Sequence, residues 1–109
     1  MVKQGQIIKI NFDPRAGHEQ AGYRPAVVVS NNFFNKNCSM TLVCPITNTR
    51  NKYPLHVPLD DRTVTTGVIL CEQIRALDLS ARPYVEIEML PGDLLETVVH
   101  ILEAEIEII

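Results

Sequence analysis

The chain contains no tryptophan, and its aromatic content is only 6%, so an aromatic groove of the kind that grips proline-rich peptides is not expected. Long hydrophobic runs are also missing. The longest apolar stretches cover residues 26–29 and 67–71, far short of the ~20 residues of a membrane helix. The first five residues, Met1-Val2-Lys3-Gln4-Gly5, carry no signal-peptide core, which predicts a cytoplasmic protein with no membrane contact. Cysteine is scarce and odd in number. Cys38, Cys44 and Cys71 show no CxxC spacing, which predicts buried reduced thiols rather than a disulfide framework or a zinc site. His18, His56 and His100 stand far apart, with no HxH or HExxH, so no metal and no other cofactor is expected. The absence of a glycine-rich phosphate loop and of GxSxG argues against nucleotide-dependent and serine-hydrolase chemistry.

What is present is ordinary globular composition, 46% hydrophobic and 21% charged in 109 residues, which predicts one domain over residues 1–109. A chain this short buries only about 60–70% of its surface, so association with a second copy is a natural source of stability. The charge is unevenly spread. Residues 1–83 hold all ten Lys and Arg against six acids, whereas residues 84–109 hold seven acids and neither Lys nor Arg. An anionic ligand therefore belongs to the first three quarters of the chain, and the acidic end reads as a solvated helix face.

Residues 6–12 alternate at Ile8, Ile10 and Phe12, which predicts a half-buried strand stopped by Asp13-Pro14. Residues 13–23 form a long polar loop, of the kind that often carries function. Residues 24–30 read as a buried β-branched strand and 31–37 as a turn or one helical turn. Residues 40–45 read as a strand ending at Pro45. Further strands are predicted at 55–59, with Pro58 marking an edge, at 66–72, at 74–79 after a bend, and at 84–89. The period then changes. Leu94, Leu95, Val98, Val99, Ile101 and Leu102 fall at helical spacing, with Glu96, Glu103 and Glu107 on the wet side. Asp93 and Glu96 have capping-box form, while Pro91 offers an alternative start. The fold class is mainly β with a C-terminal α-helix, a small curved barrel or sandwich.

Three polar clusters offer chemistry. His18, Glu19, Gln20 and Arg24 lie within seven residues. A carboxylate or imidazole beside a guanidinium suits reactions at phosphate, because one takes a proton and the other braces the oxyanion. The same residues also suit a solvated loop with Arg24 paired to Glu19. Thr47 follows Pro45-Ile46 beside Asn48, Arg50 and Lys52, and Glu72-Gln73-Ile74-Arg75 follows an apolar run. Hydroxyls and cations at strand ends are common phosphate contacts and equally common turn residues. Tyr23, Phe33, Phe34 and Tyr53 are the available stacking groups, although Phe33 and Phe34 read as core.

In order along the chain stand Asn11-Phe12-Asp13-Pro14, then Gly17-His18-Glu19-Gln20-Ala21-Gly22, then Arg24-Pro25-Ala26-Val27-Val28-Val29-Ser30. Pro45-Ile46-Thr47, Glu72-Gln73-Ile74-Arg75-Ala76-Leu77-Asp78 and Ala81-Arg82 follow. Taken together these closely resemble the MazF/PemK family of type II toxin–antitoxin mRNA interferases, over essentially the whole chain. The resemblance implies an SH3-like small β-barrel acting as a homodimer. It also implies sequence-specific, metal-independent cleavage of single-stranded RNA, in which the 2′-OH attacks phosphorus to leave a 2′,3′-cyclic phosphate and a 5′-OH. By motif, Arg24 and Thr47 would be the central catalytic pair, with Glu19 or His18 as general base. Gln20, Asn48, Arg50, Glu72, Gln73, Arg75 and Arg82 would line or support the RNA groove. That groove is expected between the loops at 13–23, 47–53 and 72–75, near a dimer seam. The implied partner is a cognate antitoxin, MazE-like or other, whose disordered part folds over the groove. Leu70 stands where some plasmid-type relatives carry an arginine, and Glu86 and Glu88 where several relatives are basic, so RNA is not expected along residues 84–89. The alternatives are a CcdB-type gyrase poison, which shares the barrel but needs neither the loop nor Arg24 and Thr47, and a non-catalytic binding module.

Overall fold

The computed structural model describes residues 1–48 and 54–109. Its elements in chain order are β1 (Gln6–Asn11), β2 (Tyr23–Val28), α1 (Asn32–Asn37) and β3 (Thr41–Thr47). Then come β4 (His56–Pro58), β5 (Val68–Leu70), a 3-10 turn (Cys71–Gln73), β6 (Arg75–Leu77), β7 (Tyr84–Met89) and α2 (Gly92–Glu105). Every strand pairing among the described residues is antiparallel, in the order β4-β5-β3-β2-β1-β7. Strand β3 is the hub, taking β6 at its start, β2 in its middle and β5 at its end. The path has ends at β4 and β7, so the described pairings make an antiparallel sheet with a C-terminal helix and do not themselves close a barrel.

Both faces of the central strands are covered, which corrects the half-buried reading of β1. Ile8, Ile10 and Phe12 pack with Ala26, Val28, Val43 and Leu77 on one side. Ile7 packs on the other with Val27, Cys44, Ile46, Ile69 and Val98 of α2. Ile7 and Ile8 face opposite sides by ordinary strand alternation, and the β1–β7 ladder shifts register between them, with Ile87 of β7 as the extra residue. Burying β-branched side chains on both faces is the main source of stability here, at ~1.5–3 kcal/mol for each fully buried residue.

Two further boundaries differ from expectation, and at α2 the Pro91 start prevails over the Asp93 cap, each for a local reason. Strand β3 runs through Pro45, which sits opposite Ala26, to Thr47. On β3, β6 ends at Val43 and β5 begins at Ile46, so Pro45 falls at a gap between ladders where a missing N–H costs least. Cys71 and Glu72 leave the predicted strand for the 3-10 turn. Helix α2 starts after Pro91 with no side-chain cap. The Leu94 and Leu95 amides donate to the Pro91 carbonyl, while Asp93 is drawn away to Arg62 at 2.8 Å. Asn31 does cap α1, accepting from the Phe34 amide at 2.8 Å. Phe33 is 79% exposed on that helix and not in the core. Cys44 and Cys71 are buried but Cys38 is exposed. Burial first, then the neighbouring Cys71 and after it Glu105 and Glu72, raises the Cys44 thiol, and burial followed by Glu105 and Glu72 pushes Cys71 up to about 12, so both stay protonated.

Glu88 has a structural duty that its charge alone did not reveal. Its carboxylate accepts from the Thr65 amide and hydroxyl, each at 2.8 Å, and from the Val64 amide at 3.1 Å. This ties the 63–66 segment to β7. Partial burial raises the Glu88 carboxyl, but these three donors more than offset it, leaving the group below its ordinary 4.5. A carboxyl depressed in the folded state contributes stability that is present above its unfolded pKa and lost as pH falls through the folded value. Hydrogen-exchange protection of the Val64 and Thr65 amides is therefore expected to fall selectively below pH 4.5. Glu88→Gln should remove that pH dependence, and a variant with the same acid response would contradict the assignment.

Candidate functional site

Arg24 lies in β2 opposite Ile10, and this fixes the base of its side chain on the central sheet. Its Nη1 donates to Thr47 Oγ1 at 3.2 Å and its Nε to the Ala21 carbonyl at 2.6 Å. With its amide oxygen facing the guanidinium, Gln20 accepts from Nε at 2.6 Å and Nη2 at 3.3 Å. The planar fork is thus held from two sides, and the expected Arg24–Glu19 pairing is not formed. Glu19 instead accepts from the Ala16 amide at 3.2 Å. Thr47 is the last residue of β3, paired with Val68 of β5. Its oxygen accepts from Arg24, so its own proton is directed elsewhere, as a donor.

The 13–23 loop is anchored rather than loose. Phe12 and Gly22 close its neck with a 2.9 Å backbone bond, and Asp13 Oδ1 accepts from the Gly22 amide at 2.9 Å. Gly22 has a φ of 82°, a left-handed conformation that glycine adopts without penalty. Arg82 donates to the carbonyls of Asn11 at 2.8 Å and Asp13 at 3.3 Å. The structure therefore places Arg82 under the loop's neck. Gln73 straps the far side: its Oε1 accepts from the Gln20 amide at 2.6 Å and its Nε2 donates to the His18 carbonyl at 3.2 Å.

This strap walls a cavity of about 360 Å³ lined by His18, Glu19, Glu72, Gln73, Ile74 and Arg75. Arg75 is fixed there by the Phe12 ring, 5.6 Å from the guanidinium, and by the Phe12 carbonyl at 3.5 Å. Glu72 meets His56 of β4, Oε2 to Nε2, at 2.9 Å. His56 was not singled out from the sequence, since sixteen residues separate it from Glu72 and only the β4–β5 hairpin joins them. Asn48 lies on the other side of Thr47. Its Oδ1 accepts from Thr66 Oγ1 at 3.1 Å, and it lines a second groove of about 280 Å³ with Lys9, Pro25 and Ile87. Tyr23, 52% exposed, carries the Lys9 ammonium 5.0 Å from its ring centroid. Arg50 and Tyr53 lie outside the described residues.

The structure thus joins Arg24, Thr47 and Gln20 directly and brings His18, Glu19, Glu72, Gln73 and Arg75 round one adjoining cavity. Among the described residues no hydrogen bond links the His18 or Glu19 side chain to Arg24 or Thr47. The chemistry on offer is anion binding by a guanidinium and a hydroxyl beside two proton acceptors. No three His, Cys, Asp or Glu side chains among the described residues gather in a metal-binding group. No described helix is long and apolar enough to cross a membrane.

Comparison with known proteins sets this geometry in context. A sequence model of the family described as PemK-like, MazF-like toxin of type II toxin–antitoxin system matches residues 3–105. The endoribonuclease toxin ChpB of Escherichia coli (strain K12) is 38% identical over an alignment 113 positions long, covering 96% of this chain and 94% of ChpB. The crystal structure of MazF from Deinococcus radiodurans superposes with a TM-score of 0.88 at 34% identity, covering 95% of this chain and 94% of MazF. A chain in the MazE–MazF crystal structure from the same organism superposes with a TM-score of 0.82, again at 34% identity and with coverage of 95% and 94%.

Proposed function

Since this chain belongs to the PemK-like, MazF-like toxin family of type II toxin–antitoxin systems, we propose that it is an endoribonuclease that cuts single-stranded RNA at the Arg24–Thr47 pair. The observation that carries this is the 3.2 Å contact of Arg24 Nη1 with Thr47 Oγ1, reached from the same loop that carries the proton acceptors His18 and Glu19 into the neighbouring cavity. In the reaction the RNA 2′-oxygen forms a bond to the adjacent phosphorus while the bond from phosphorus to the 5′-oxygen breaks. The 2′-OH proton passes to the base of the loop, His18 or Glu19. The leaving 5′-oxygen takes up a proton from solvent water, so the products are a 2′,3′-cyclic phosphate and a 5′-OH. Arg24 neutralises charge that grows on the non-bridging oxygens, and Thr47 donates to one of them. The substrate supplies its own nucleophile, so no metal-bound water is required.

The wider reading is a single toxin domain, its sheet curled into an SH3-like barrel, acting in the cytoplasm as a homodimer. A MazE-like antitoxin would silence it by covering the groove. The acidic α2 and Glu88, already engaged with Thr65, keep the RNA path on the Arg24 side. Replacing the 2′-OH at the cut nucleotide by hydrogen is expected to abolish cleavage with binding retained. Thr47→Ala should lower kcat about tenfold, as for loss of one hydrogen bond to a charged group. Unaltered cleavage of the 2′-deoxy RNA would overturn the mechanism. RNA left intact while gyrase is inhibited would favour the poison.

A further inference from the structure

The cavity holds a carboxylate that the cleavage chemistry does not use. Glu72 stands in the turn after β5, and His56 reaches its Oε2 at 2.9 Å from β4, where it is registered against Leu70. The two side chains are 15% (His56) and 28% (Glu72) exposed, so His56 is the better covered partner while Glu72 is open to the cavity it lines. Among the described residues nothing donates to its Oε1. Behind it, Glu105 of α2 has its carboxyl raised, by burial and then by the charge of Glu72. Negative charge thus gathers at Glu72 and Glu105, against the cations Arg75, in the same cavity lining, and Arg24, which lies outside it and contacts Thr47.

That polarity orients a strand. A phosphate settles at Arg24 and is repelled at Glu72, so what reaches Glu72 is a base. A fixed carboxylate accepts from base N–H groups, as Asp and Glu do from the cytosine amino group. We propose that Glu72 Oε1 reads the amino group of one RNA base seated in the cavity against Ile74, with His56 as the positioning residue that holds Oε2. Guanine, cytosine and adenine each carry an exocyclic amino group. Uracil presents a single N–H between two carbonyl oxygens, which a carboxylate repels. A cavity of about 360 Å³ is at the small end of ligand sites and suits one nucleoside. The inference deepens the RNA-cleaving reading and rests on it.

The test is cleavage of a randomised single-stranded RNA pool, with sequencing of the new ends, by the unaltered protein and by Glu72→Gln, His56→Ala and His56→Gln. The unaltered protein is expected to disfavour uracil roughly tenfold or more at one position of its site. Glu72→Gln should largely erase that bias, because an amide offers uracil a donor as well as an acceptor. His56→Ala should weaken it too, and His56→Gln, which keeps an N–H toward Oε2, should restore it. The bias is a ratio between RNAs on one enzyme, so a merely less stable variant slows both and leaves the ratio unchanged. For a variant that binds without cutting, the ratio is read from retained against free RNA. No uracil bias in the unaltered protein, or the same bias in Glu72→Gln, overturns the proposal. A bias lost in Glu72→Gln but kept in His56→Ala removes the positioning role of His56. Failure of the unaltered protein to cut any RNA overturns the ribonuclease reading instead.

Discussion

Arg24→Ala is expected to reduce RNA cleavage by about 10³-fold or more, in line with removal of a transition-state charge stabiliser, while the protein stays folded. The side chain spans Thr47, Ala21 and Gln20, so its loss removes both the cation and the tether of the loop's end. The backbone of β2 remains held by its pairing to β1 and β3. Arg24→Lys separates these effects. Lysine keeps the charge but loses the planar fork, so it should recover little activity. Single-turnover cleavage rates with a thermal melt of each variant check this, and a lysine variant near full activity would show that charge alone suffices.

Gly67→Ala carries the largest expected effect on stability. Gly67 has a φ of +117°, and an added Cβ would drive into the Thr47 carbonyl, with Thr47 C at 2.8 Å and Asn48 N at 3.2 Å. These are backbone atoms at the end of β3, where Thr47 is paired with Val68, and they cannot swing aside. Strain and overpacking together should cost about 3 kcal/mol or more, a fall in Tm of roughly 12 °C or more. The same movement shifts Thr47 relative to Arg24, so cleavage should fall below what the loss of folded protein explains. Gly92→Ala is the control, because nothing lies within 4 Å of its added Cβ. Equal melting temperatures for the two variants would contradict the account.

The candidate site was partly legible because several of its residues are close in sequence. His18, Glu19, Gln20 and Arg24 share one loop and strand start, and β2 delivers Arg24 to Thr47 through simple alternation. What joins distant segments was not legible. Gln73 grips the backbone of residues 18 and 20 across more than fifty residues. His56 finds Glu72 only because β4 and β5 pair. Glu88 reads as an exposed acid in an alternating strand, yet it holds Thr65. Pro45 looks like a strand end because a proline removes a donor, and only the succession of β6 and β5 along β3 shows why it does not stop the strand. Asp93 has the right spacing for a cap, but Arg62, brought near by the loop before β5, binds its carboxylate more directly.

The most direct test of the central claim is end-group analysis of a long single-stranded RNA incubated with the purified protein in excess EDTA, beside the Arg24→Ala variant. Discrete cuts by the unaltered protein alone, ending in 2′,3′-cyclic phosphate and 5′-OH, are the expected result. Intact RNA, cuts that require added metal, equal cutting by both proteins, or 5′-phosphate ends would contradict it.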